Sequence, residues 1–202
     1  MGKIISIVGN LGAGKTTLAN LLCERGAFIP YWEKPEERPF HVEFAQNLSR
    51  WALANQVDFF LFRSKQELLV RQSNQIGVFD GGFDQDFHVF TRHLYNKGYL
   101  NQDEFDICKR LYDLARSFLP PPEIIIRIVI DMPTLLQRRL ARERKTVDQL
   151  FDLQEFFDLE VLLDEWLHVE TSSTVIQVSF DKDYRDNPDE IEQLLIDIKK
   201  LL

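Results

Sequence analysis

Residues Gly9 to Thr16 read Gly-Asn-Leu-Gly-Ala-Gly-Lys-Thr, a complete G-x-x-x-x-G-K-[ST] phosphate loop set between the apolar run Ile4-Ile5-Ser6-Ile7-Val8 and a helical pattern. Such a segment has one established physical use. Glycines let backbone N–H groups turn inward around phosphate oxygens, the Lys15 ammonium reaches the β and γ oxygens, and the Thr16 hydroxyl is offered to Mg²⁺. The helix that begins at about Lys15 points its partly positive end at the same anion. Gly9, Asn10, Leu11, Gly12, Ala13, Gly14, Lys15, Thr16 and Thr17 are therefore the expected cradle of a nucleoside triphosphate. A Gly-rich turn that merely connects strand to helix is the competing explanation. Lys-Thr in register after a strand argues against it.

The rest of the chain repeats the alternation. Apolar runs at Ala27–Ile29, Gly77–Asp80, Ile124–Ile130 and Val175–Val178 predict four more strands. Between them lie helical stretches from about Arg50 to Gln75, Phe87 to Asn96, Asn101 to Phe118, Pro133 to Arg142 and Leu153 to Val169, with a last helix from about Pro188. Asn101 and Glu104 have the spacing of a capping box, and Pro120-Pro121-Pro122 stops the helix that follows. The pattern implies an α/β fold: a five-stranded parallel sheet flanked by helices, in a single domain spanning 1–202. At 202 residues with 16 Phe, the chain can fill one core.

No apolar stretch approaches the roughly 18 residues of a membrane span, and Met1-Gly2-Lys3 leads straight into the first strand. The expectation is a cytoplasmic protein without a membrane partner. Cys23 and Cys108 have neither disulfide nor metal spacing. A net charge of −8 repels a polyanion over most of the surface, so small phosphorylated ligands are expected rather than nucleic acid.

In open α/β sheets ligands bind beyond the carboxyl ends of the strands. Gly9, Glu33 and Asp80 each follow an apolar run, so all three should meet at that edge. Asp80 is the acid expected to hold Mg²⁺ with Thr16, or else a turn residue before Gly81. Glu33 could accept a proton from an attacking hydroxyl; a solvated loop glutamate is the alternative. Arg138 and Arg142 lie four apart on one helix face with Arg139 and Arg144 nearby, a cluster suited to closing over phosphoryl oxygens as a lid of about 138–150. Gln56 and Arg63 are seven apart on the long helix, where the Gln amide suits the edge of a nucleobase and the wet face of an amphipathic helix is the alternative.

The order of these features resembles the deoxynucleoside kinase family, and its bacterial deoxyadenosine/deoxyguanosine kinase branch in particular, over nearly the whole chain. The resemblance rests on the phosphate loop, on Glu33-Lys34-Pro35-Glu36-Glu37-Arg38-Pro39-Phe40, and on Arg50-Trp51-Ala52-Leu53-Ala54-Asn55-Gln56. Leu94-Tyr95-Asn96-Lys97-Gly98-Tyr99, Phe118-Leu119-Pro120-Pro121-Pro122 and Arg138-x-x-x-Arg142-x-Arg144 complete it. It implies a P-loop kinase fold with a helical lid, ATP as phosphoryl donor with Mg²⁺, and a homodimer packed through helices. It assigns Glu33 as general base for a 5′-hydroxyl, Gln56, Arg63 and Asp86 as the base-recognition set, and Arg138, Arg142 and Arg144 with Lys15 as phosphate-neutralising groups. The Arg and Asp of that set imply deoxyadenosine, deoxyguanosine or deoxycytidine rather than thymidine.

The chain also departs from the family pattern. The acidic-Arg-Ser motif after the third strand is Asp80-Gly81-Gly82, so its arginine is absent; Ala45 stands where a sugar-contacting tyrosine is expected, Val147 where a lid glutamate is, and Lys34 replaces a proline. These losses leave two alternatives to a purine deoxynucleoside kinase: a catalytically impaired nucleotide-binding or structural paralogue, and a kinase for another nucleoside or a nucleoside monophosphate. A regulatory GTPase is disfavoured, because Asn96-Lys97 runs into Gly98-Tyr99 rather than a guanine-binding Asp motif.

Overall fold

In the computed structural model the described residues are 1–34, 37–140, 151–179, 185 and 187–202, with the side chains of 139 and 140 excepted. Five strands form one sheet in the order β2-β3-β1-β4-β5, every neighbouring pair parallel. They are β1 (Lys3–Val8), β2 (Ile29–Tyr31), β3 (Ile76–Asp80), β4 (Ile124–Val129) and β5 (Thr174–Ser179). The continuous apolar runs of β1 and β4 suit strands covered on both faces: Ile4, Ile5, Ile7 and Val8 are sealed from solvent, as are Ile124, Ile125 and Ile126. Each such side chain contributes about 1.5–3 kcal/mol of burial.

The helices are α1 (Lys15–Arg25), α2 (His41–Gln46), α3 (Leu48–Arg71), α4 (Phe83–Gln85), α5 (Arg92–Asn96), α6 (Gln102–Phe118), α7 (Met132–Leu140), α8 (Leu153–Val169) and α9 (Pro188–Leu201), with a π-helical segment Asp86–Thr91 joining α4 to α5. The capping box at Asn101 and Glu104 forms, and a second one at Asp152 and Glu155 starts α8. Among the described residues no helix is long and apolar enough to cross a membrane.

Three local expectations are corrected. The second strand begins at Ile29 rather than Ala27, because Phe28 folds against the end of α1 at Gly26 and pairing starts only where Ile29 meets Gly77. The segment between the second strand and the long helix, for which the sequence predicts no element, contains α2, six residues and too short to show a period. The helical stretch predicted from Phe87 starts at Phe83, and its π segment breaks the 3.6-residue repeat that periodicity reads.

The register places the chemistry. Ile7 pairs with Asp80 and Tyr31 with Phe79, so the loop after Val8, the end of β3 and Glu33 just beyond β2 emerge together at the carboxyl edge of adjacent strands.

Candidate active site

Gly14 sits at φ 105°, the left-handed geometry open to glycine, and turns the chain into α1. The loop is braced from both sides. Gln85 Nε2 donates to the Gly9 carbonyl at 2.8 Å, and Asn10 Nδ2 donates to the Phe156 carbonyl of α8 at 2.8 Å and to Glu160 at 3.1 Å. Lys15 Nζ donates to the carbonyls of Gly9 and Asn10 at 3.1 and 3.0 Å, which holds its charge over the mouth of the loop. Thr16 Oγ1 donates to Asp80 Oδ2 at 2.5 Å, joining the first helix to the end of β3. A hydroxyl beside a carboxylate is a hard-oxygen pair that fits Mg²⁺, which takes one or two protein oxygens and keeps waters and phosphates for its other positions. Among the described residues no cluster of three or more His, Cys, Asp or Glu forms a dedicated metal cage.

Beside the loop opens a partly enclosed cavity continuous with solvent. Its walls include Leu11 of the phosphate loop, Glu33, Asn55, Gln56, Asp86 and the ring of Phe90, a largely apolar slot with a few polar groups aimed into it. Crowding by protein pushes the Glu33 carboxyl up from 4.5 to about 7; the Arg63 and Lys15 charges oppose the rise while Asp80 and Asp86 add to it. A carboxylate with that affinity is matched to taking a proton near neutral pH.

Gln56 and Arg63, expected on one helix face, separate in depth. Gln56 lines the cavity; Arg63, 1 % exposed, lies beneath it. Its Nε donates to Asp86 Oδ2 at 3.1 Å and its Nη2 to the Asp80 carbonyl at 2.9 Å, so one guanidinium ties the cavity wall at Asp86 to the end of β3. Burial raises the Asp86 carboxyl affinity for protons despite Arg63, and the surrounding Asp86, Glu33 and Asp80 outweigh burial in keeping Arg63 charged. Gly81 explains how Arg63 fits. At φ +76° it is in the left-handed region, and a Cβ there would lie 3.0 Å from Arg63 Nη2.

Arg138 reaches the loop as well, its Nη1 donating to the Ala13 carbonyl at 3.2 Å. Arg142, Arg144 and Val147, with the rest of the expected lid beyond residue 140, lie outside the described residues. Ala45 packs at the edge of the core and Lys34 is exposed, forming an ion pair with Glu37 at 2.9 Å.

Sequence reasoning missed several groups that build the site. Gln85, 1 % exposed, bonds the phosphate loop. Asn55 and Thr91 are buried at the cavity and its rear wall. Arg116 of α6 forks onto Glu67 of α3 and Asp84 of α4, with contacts of 2.7–3.0 Å, and so anchors the segment that presents Asp86. The sequence signal for these was weak: a lone Gln, Asn or Thr in a helical pattern has no partner that spacing can name.

The sequence profile of the family described as Deoxynucleoside kinase matches residues 5–202. The chain is 29 % identical over 202 residues to the deoxyguanosine kinase of Bacillus subtilis (strain 168), covering 98 % of this chain and 97 % of that protein. It is 24 % identical over 145 residues to a deoxyadenosine/deoxycytidine kinase of the same organism, covering 71 % of this chain and 67 % of the relative. Among solved structures, the deoxyadenosine kinase from M. mycoides with products dCMP and a flexible dCDP bound superposes with a TM-score of 0.79 at 19 % identity, covering 98 % of this chain and 99 % of that one. The match along almost the full length, on a five-stranded parallel sheet with a phosphate loop after its first strand, makes the chain a member of the deoxynucleoside kinase family, with the P-loop kinase fold.

Proposed function

We propose that the chain transfers the γ-phosphoryl group of ATP to the 5′-hydroxyl of a purine deoxynucleoside, deoxyadenosine or deoxyguanosine, as a step of nucleotide salvage in the cytoplasm. The observation that carries this reading is a cavity whose wall joins phosphate-loop Leu11 to Glu33, Gln56 and Asp86. The names of its bacterial relatives, a deoxyguanosine kinase and a deoxyadenosine/deoxycytidine kinase, support a purine acceptor.

The base lies between apolar walls, with Gln56 and Asp86 at its edge and Arg63 behind Asp86. The 5′-hydroxyl faces Glu33, which takes its proton as the oxygen attacks phosphorus. Lys15, Arg138 and, from outside the described residues, Arg142 and Arg144 neutralise charge on the phosphoryl oxygens, so catalysis is positioning plus electrostatics. Thr16 and Asp80 would hold Mg²⁺, which would supply positive charge to offset that of the donor phosphates. We place the protein in solution as a homodimer. Leu61 and Leu68 on α3, seven residues apart, and Ile107, Leu114 and Phe118 on α6, spaced seven and four, are large exposed apolar side chains, and helix faces of this kind suit a second copy of the chain.

Gly81 favours one second reading, a nucleotide-binding paralogue without turnover, since the arginine of the family motif is missing there. Purified protein with Mg-ATP and a panel of nucleosides and monophosphates separates the two. Phosphorylated nucleoside that disappears in Lys15→Ala and falls steeply in Glu33→Gln supports the kinase. Ligand-induced melting shifts without product support the binding subunit.

A further inference from the structure

Thr91 is fully buried at the end of the π segment, and its Oγ1 lies 2.8 Å from Gln56 Oε1 and 2.8 Å from the backbone carbonyl of Asp86. A hydroxyl has one proton to donate. Two oxygens at that distance without a proton between them repel, so the two contacts cannot both have an acceptor facing Thr91. The backbone carbonyl cannot be exchanged for a donor, whereas a half-turn of the Gln56 amide exchanges its oxygen for its nitrogen. The consistent network has Thr91 donating to the Asp86 carbonyl and the Gln56 amino group donating to Thr91. Gln56 then turns its carbonyl oxygen to the cavity it lines.

Asp86, whose Oδ2 accepts from Arg63, lines the same wall. A lone pair that loses its water on ligand binding is costly to leave unpaired, and a ligand N–H that reaches it recovers that cost.

Resting on the kinase reading of this cavity, we infer that Thr91 is a specificity-determining residue that selects a guanine base over adenine. It acts by fixing the orientation of Gln56. The Watson–Crick edge of guanine carries the donors N1–H and the 2-amino group beside the acceptor O6, whereas that of adenine carries the 6-amino donor beside the acceptor N1. The Gln56 carbonyl accepts from the N1–H of guanine and confronts N1 of adenine with a repelling lone pair.

The test compares deoxyguanosine, deoxyadenosine and deoxyinosine, the last lacking the 2-amino group. For each, kcat/KM with Mg-ATP and the melting shift given by the nucleoside alone are measured on wild type, Thr91→Ser and Thr91→Val. Wild type should favour deoxyguanosine over deoxyadenosine by about tenfold or more, the scale of one well-placed hydrogen bond. Thr91→Val should erase most of that ratio while Thr91→Ser keeps it, and deoxyinosine, which retains N1–H, should follow deoxyguanosine. A wild type that prefers deoxyadenosine, or a ratio unmoved in Thr91→Val, overturns the inference. If no nucleoside is phosphorylated the kinase reading fails, and the melting shifts still decide: a larger shift with deoxyguanosine that Thr91→Val removes upholds the base selection, and equal shifts overturn it.

Discussion

Thr16 Oγ1 and Asp80 Oδ2 stand 2.5 Å apart, although 64 residues of chain separate them. Parallel pairing of β1 with β3 creates this contact, because Ile7 and Asp80 share a register position and the phosphate loop turns Thr16 back over the strand ends. Asp80→Asn keeps the size and a hydrogen bond to Thr16 but removes the charge that a divalent cation requires. Turnover should fall by about 10²–10³-fold with the Mg²⁺ requirement moved to higher concentration, read from initial rates against Mg²⁺. An unchanged Mg²⁺ dependence would remove Asp80 from the metal site.

Glu33, with its carboxyl pushed up to about 7, should give kcat/KM a limb that rises with pH through that value. Glu33→Gln should abolish the limb and lower kcat by about 10²–10⁴-fold. The linked effect on stability has a definite sign. Between the unperturbed value of 4.5 and about 7 the folded state holds a proton that the unfolded state has released, so stability falls as pH rises across that window. Denaturant titrations should therefore show Glu33→Gln gaining on wild type at pH 8 relative to pH 4.

Gly81→Ala meets two obstacles, a left-handed backbone and an Arg63 nitrogen 3.0 Å from the new Cβ. A stability loss of about 1–2 kcal/mol is expected from the backbone alone. The displaced guanidinium should loosen Asp86, so discrimination between bases should suffer more than the KM for ATP. Arg63→Ala should do the same without the backbone penalty. Equal loss of base selectivity and ATP affinity would count against the placement of Arg63 behind the base.

Arg116 holds two carboxylates, Glu67 and Asp84, in a setting where both are nearly sealed from water. Arg116→Ala leaves them facing each other with only Arg71 to offset Glu67, and unfolding free energy from urea titration should drop by about 3–5 kcal/mol. Double substitution with Glu67→Gln should return part of that loss, since it removes one of the stranded charges.

Gly9 to Thr16, the runs of β1 and β4, and the capping residues Asn101 and Glu104 act through neighbours a few positions away, so the chain alone determined the phosphate loop, the parallel α/β architecture and most helix starts. Glu33, Asp80 and Gln56 could be proposed from position along the same pattern. Their neighbours could not. The depth that puts Gln56 on the cavity wall and Arg63 beneath it comes from packing α3 against the π segment and the strand ends, and the partners of Gln85, Thr91 and Arg116 lie 76, 35 and up to 49 residues away. Side-chain hydrogen bonds and buried ion pairs depend on ångström separations across different elements, which periodicity along one element does not carry. Only the tertiary fold decided which atoms of this wall give protons and which accept them.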